Sequence, residues 1–178
     1  MCIRDRFLCL SIFAFTFPFL DAQTTLSKEE QFVKNYNKRI KKERLYGIYI
    51  PSDVPDALAQ LNKLTPRDAK TSFKSVPEEV AVTKLHFSLG RWIIHNWGFY
   101  EGSRLSHHLK KIGVNHPDDQ AKVLITAYHR YLNKTPLEVK KIADFYSEKR
   151  RKEFEERRKK GTVLSKEVKK KNNRKSDE

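Results

Sequence analysis

Cysteine is nearly absent: only Cys2 and Cys9 occur, both within the first ten residues. If that segment is removed on maturation, disulfides, thiolate catalysis and Cys-rich metal sites are excluded. Cys9 is also a poor lipidation position, because Leu8 precedes it and the apolar run follows it. The six glycines are scattered, so no phosphate-cradling loop is present. There is no G-x-S-x-G elbow, no Ser or Thr framed with a base, no H-E-x-x-H and no histidine pair at i,i+4. Catalysis is therefore the minority expectation, and no cofactor or metal is expected.

The opening six residues, Met-Cys-Ile-Arg-Asp-Arg, read back into ATG TGT ATA AGA GAC AG, a transposon end used in sequencing-library preparation, so they are expected to be adapter-derived. Phe7 to Leu20 is an apolar run containing Pro18, shorter than the roughly 20 residues of a membrane span. It ends Leu20-Asp21-Ala22 before Gln23, the pattern of a secretory signal and its cleavage site. These residues imply a bacterial protein exported to the periplasm or beyond, soluble once residues 1–22 are removed.

Charge is unevenly distributed. The net value of +15 draws on seven basic against three acidic residues in 23–44, fourteen against eleven in 45–148, and fourteen against six in 149–178. A nearly neutral middle is flanked by basic ends, which suit an anionic membrane or envelope surface. The same ends would bind nucleic acid nonspecifically if the chain were not exported. Four segments follow: 1–22 adapter and signal, 23–44 a basic N-terminal helix, 45–148 a helical core domain, and 149–178 a basic helical extension with a polar tail.

Helix starts are marked by Ser or Thr with an acid three residues on: Ser27 with Glu30, Ser75 with Glu78, Thr135 with Glu138, and the related Thr65 with Asp68. Pro66, Pro77 and Pro136 fall in first turns, and Gly98 and Gly113 fall where helices should stop. Helices are expected at 27–44, 54–63, 66–74, 77–97, 103–112, 117–132 and 136–160, in an all-α, compact orthogonal multi-helix domain with a basic helical C-terminal extension. Ile48-Tyr49-Ile50 alone resembles a strand and is too short to build a sheet. The 77–97 segment is apolar almost all round, which predicts the central helix. Beyond Ser147 the last helix carries Glu148 to Lys152, Glu153 to Arg157, Glu155 to Lys159 and Glu156 to Lys160 at favourable i,i+4 order. The final residues are too polar to fold.

Candidate functional residues are Asn96, Trp97, Arg104, His116, Asp118, Asp119, His129 and Arg130. Asn96, Trp97 and Arg104 belong to an aromatic turn between two glycines that suits a pocket or, equally, a tight helical corner with aromatic plugs. His116-Pro117-Asp118-Asp119 resembles an acid/base cluster, yet it is also what a helix N-terminus favours, with His116 as cap. His86 and His95 are nine residues apart, about half a turn out of phase, so they should face opposite ways.

The strings N-W-G-x-x-x-G-S-R-L at 96–105, H-P-D-D at 116–119 and Y-H-R-Y-L-N at 128–133, within roughly residues 49–146, resemble a bacterial family of domains of unknown function found in short, often exported proteins. The resemblance implies a single domain and no mechanism. Three functions remain open: a non-enzymatic envelope module, monomeric, that binds a protein or small ligand; a hydrolase-like enzyme using His116, Asp118, His129 and Arg104 in one pocket; and nonspecific nucleic-acid binding.

Overall fold

A computed structural model describes residues 27–173, with side chains as far as 160. Residues 1–26, with the adapter and signal readings, lie outside the described residues, as do 174–178 of the tail. The described chain is all-α apart from one miniature hairpin.

Helix α1 (Lys28–Arg39) opens on a complete capping box, in which Ser27 Oγ accepts from the Glu30 amide and the Glu30 carboxylate accepts from the Ser27 amide. It ends five residues sooner than expected. The chain then makes strands β1 (Arg44–Leu45) and β2 (Ile48–Tyr49), antiparallel with Leu45 opposite Ile48. Tyr46 and Gly47 join them at φ 51° and 80°, the positive dihedrals that a twisted two-residue hairpin requires.

Helices α2 (Val54–Leu64) and α3 (Arg67–Ser75) follow, then α4 (Glu78–Leu85), a π-turn at His86–Gly90, and α5 (Arg91–Asn96). After the turn come α6 (Arg104–Lys111), α7 (Pro117–Asn133) and α8 (Val139–Asn173). α8 outruns the expected end at 160 by thirteen residues. Extension of a formed helix costs far less than nucleation.

The centre of the domain is α7, not the 77–97 segment. Every residue from Asp119 to His129 except the half-buried Lys122 is buried, and α2, α3, α4, α5, α6, α8 and the π-turn all pack on this helix. Its large apolar side chains contribute about 1.5–3 kcal/mol each. The 78–96 segment instead leaves Val80, Phe87 and Trp92 exposed, because the π-turn rotates part of its apolar surface off the core.

Only one of the expected capping boxes forms. Thr65 Oγ1 donates to the Leu61 carbonyl, Ser75 Oγ to Ser72, and Thr135 Oγ1 to Arg130. Each hydroxyl closes the preceding helix instead of opening the next. α3 and α4 start on Pro66 and Pro77 without a side-chain cap, and α8 starts at Val139 after Glu138 adopts φ 43°.

Candidate functional site

The eight residues singled out in the sequence are spread over the domain, and most have structural partners. Asn96 Nδ2 donates back to the Trp92 carbonyl one turn earlier. Trp97 is a buried plug, edge-on to Trp92 at 5.8 Å. Arg104 Nε donates to the Ile50 carbonyl at 2.6 Å and its guanidinium lies over the Tyr49 ring, locking the hairpin to α6. His116 caps α7, its Nδ1 accepting from the Asp118 amide.

Asp119 is buried and paired with Arg150 of α8 through both carboxylate oxygens, with Lys122 at 3.9 Å. That hydrogen bond pushes the Arg150 guanidinium pKa up. His129 Nε2 bonds the Val76 carbonyl at 2.9 Å, and its ring stands edge-on to Phe73. Arg130 grips both oxygens of Glu78 at 2.8 and 2.9 Å, which holds the Glu78 carboxyl below its ordinary value.

The hydrolase-like arrangement is therefore not assembled. His116 and His129 occupy opposite ends of α7, about 20 Å apart at the rise of an α-helix. Arg104 is committed to Ile50, and neither His116 nor His129 lines either of the two cavities described below. Asp118 alone of the eight lines one. Among the described residues, no group of three or more His, Cys, Asp or Glu side chains is arranged to hold a metal ion.

Two cavities flank the 78–96 segment, and of the residues singled out in the sequence only Asp118 lines either. The first, about 400 Å³, lies between α3, α4 and α7, walled by Phe73, Val76, Ala81, Leu85, Leu89 and Tyr128, with Lys84 its only charged lining residue. Sites for small molecules commonly measure about 300–1,000 Å³ and are mainly apolar with few polar groups. The second, about 460 Å³, is lined by His86, Phe87, Arg91, Ile94, His95 and Tyr100, with Asp118 from α7.

The π-turn explains why His86 and His95 share that second pocket. The Arg91 amide reaches back five residues to the His86 carbonyl, so one extra residue is absorbed in the turn. At about 100° per α-helical residue, the extra one cuts the half-turn offset between the two histidines to about 80°. Gly90 permits this packing: a Cβ there would sit 3.1 Å from His86 Nδ1 and 3.5 Å from Ile125 Cδ1. Burial, reinforced by Lys122 nearby, lowers the His86 pKa, while Asp118 and Asp119 oppose it. Its buried Nδ1 has no hydrogen-bond partner.

Residues 50–132 match the family model of a domain of unknown function, DUF6794. The DUF6794 match runs from the end of the hairpin through nearly all of α7 and contains every residue lining both cavities. α1 and α8 fall outside it, and it stops short of the expected limit near 146. No curated protein and no solved structure matches the chain. Within the match, the motif residues mostly build architecture: Gly98 and Gly102 take φ 62° and 88°, Ser103 caps α6, and Leu105 and Tyr128 are buried.

Proposed function

We propose that this chain is a non-enzymatic binding module of the cell envelope, whose helical domain takes a small, mostly apolar ligand carrying one anionic group, while its basic ends lie against an anionic surface. The observation that carries this reading is the cavity between α3, α4 and α7, whose walls are apolar and whose single charged lining residue is Lys84. An apolar body buries against Phe73, Leu85 and Tyr128 at about 25 cal/mol per Å², and the lysine selects the sign of the head group. The ends supply the second half: Lys149, Arg151, Lys152, Arg157, Lys159 and Lys160 of α8 are exposed, and each cation near anionic lipid contributes about 1 kcal/mol. No described helix is long and apolar enough to cross a membrane, so the reading is of attachment by charge.

The test uses 8-anilinonaphthalene-1-sulfonate, an aromatic body with one sulfonate. It should bind saturably, and Ala69→Trp, placed at the exposed rim of the cavity, and Lys84→Glu should each weaken it by about tenfold or more, equivalent to about 1.4 kcal/mol, without lowering the melting temperature. Unchanged binding in both variants sinks the ligand reading. Deletion of 161–178 should weaken salt-sensitive binding to phosphatidylglycerol vesicles, and unchanged, salt-insensitive binding refutes the surface part.

A further inference from the structure

The second cavity shares no lining residue with the first, and its chemistry is different. It brings cationic Arg91 and anionic Asp118 to one pocket, with Phe87 and Ile94 as apolar lining. Elsewhere in the domain the arginines that pack on the core are tied down: Arg39 to Glu101 and the Gly102 carbonyl, Arg104 to Ile50, Arg130 to Glu78, Arg150 to Asp119. Arg91 is not. It lies over the Phe87 ring, 5.8 Å from its centroid, and makes no ion pair or hydrogen bond among the described residues. A guanidinium held on an aromatic face keeps its planar donor fork free for a carboxylate. Asp118 is half-open, with side-chain exposure of 34 %, and among the described residues its one ion pair within 4 Å is with the capping His116 at 3.6 Å. His95 and Tyr100, both exposed, add polar groups at the rim without hydrogen-bond partners among the described residues.

Two opposite charges that line one pocket without pairing to each other suit a ligand that carries both. We propose that the pocket beside the π-turn binds a small zwitterion with an apolar body, such as a free α-amino acid, with Arg91 taking the carboxylate, Asp118 the ammonium, and Phe87 and Ile94 the side chain. A pocket of about 460 Å³ accommodates a molecule of this size. The π-turn has a direct role, since a regular helix would carry His86 away from the face that holds His95.

Calorimetry on the full chain tests this with L-phenylalanine and L-leucine, each beside its analogue without the ammonium (3-phenylpropionate, 4-methylpentanoate) and without the carboxylate (2-phenylethylamine, 3-methylbutylamine). At least one of the amino acids should bind saturably at millimolar concentration or below, and the corresponding single-charge analogues about tenfold more weakly. Arg91→Gln should abolish the preference over the amine but keep that over the acid, and Asp118→Asn should do the reverse. Melting curves of both variants establish that they fold. Because the two cavities are separate, the amino acid should leave anilinonaphthalenesulfonate bound, which keeps this test independent of the apolar site. No binding by either amino acid overturns the proposal, as does equal binding of the single-charge analogues or an amino-acid affinity unmoved by both substitutions.

Discussion

Arg150→Ala should be the most damaging single change in the basic C-terminal helix. The Asp119 side chain is 6 % exposed and meets Arg150 through both oxygens, whereas Arg150 is 40 % exposed and still reaches water. Removing one partner of a fully buried pair costs about 3–5 kcal/mol. Here the guanidinium is only partly desolvated and Lys122 Nζ stands 3.9 Å from the same carboxylate, so about 2 kcal/mol is the better expectation. For a chain of this size that lowers the melting temperature by about 4–8 °C. Arg151→Ala is the matched control, because its partners Glu148 and Glu155 are exposed and its loss should stay within about 0.5 kcal/mol. Urea unfolding followed by circular dichroism would measure both, and Asp119→Ala with Arg150→Ala together should cost less than the two singly by about 1 kcal/mol. If Arg150→Ala is indistinguishable from Arg151→Ala, the ion pair does not hold α8, and its anchorage falls to Ile142, Ala143 and the Ser147 bond to Gly113.

Gly102→Ala should cost more than Gly47→Ala, although both glycines have positive φ, at 88° and 80°. The backbone penalty of about 1–2 kcal/mol is common to both. At Gly102 a Cβ would also stand 2.2 Å from Tyr36, while at Gly47 nothing lies within 4 Å. The excess should appear as release of α1, measured by protease cleavage between residues 28 and 39; equal cleavage in the two variants refutes it. Glu78 gives a pH prediction. Its folded pKa is depressed by Arg130 from 4.5, so its contribution is present above that value and lost as pH falls through the folded one. Acid unfolding should therefore be shallower in Glu78→Gln than in the parent below about pH 4.5, and identical slopes refute the assignment.

The all-α class and most helix spans were legible because proline, glycine and apolar spacing fix them locally. Cap assignment was less so, for a geometric reason. Where the connection is one or two residues long, as at Thr65 and Ser75, the hydroxyl still lies within reach of the last carbonyls of the helix before it. A Ser/Thr-x-x-acid string then serves either end. Ser27 has no helix before it among the described residues, and its box forms in full. The candidate residues misled in a similar way: Arg104, Asp119, His129 and Arg130 are polar groups near aromatics because they tie elements together, and their partners Ile50, Arg150, Val76 and Glu78 lie 31 to 54 residues away along the chain. Periodicity carries no information about such pairings.

The two cavities were missed for a different reason, and it is the same reason that α7 replaced 77–97 as the centre. An all-round apolar segment normally means burial on every side, and that inference assumes one continuous helical phase. The turn His86-Phe87-Ser88-Leu89-Gly90 breaks the phase by one residue, so Ala81, Leu85 and Leu89 face one cavity while His86, Arg91 and His95 face the other. α7 then has to supply the continuous core. Gly90 is the local signal that was present: a glycine inside an otherwise strong helix costs about 1 kcal/mol against alanine, and here it marks the place where His86 and α7 approach too closely for a Cβ. Apolar side chains on both sides of such a break are surplus to one core, and here they line two binding-sized cavities.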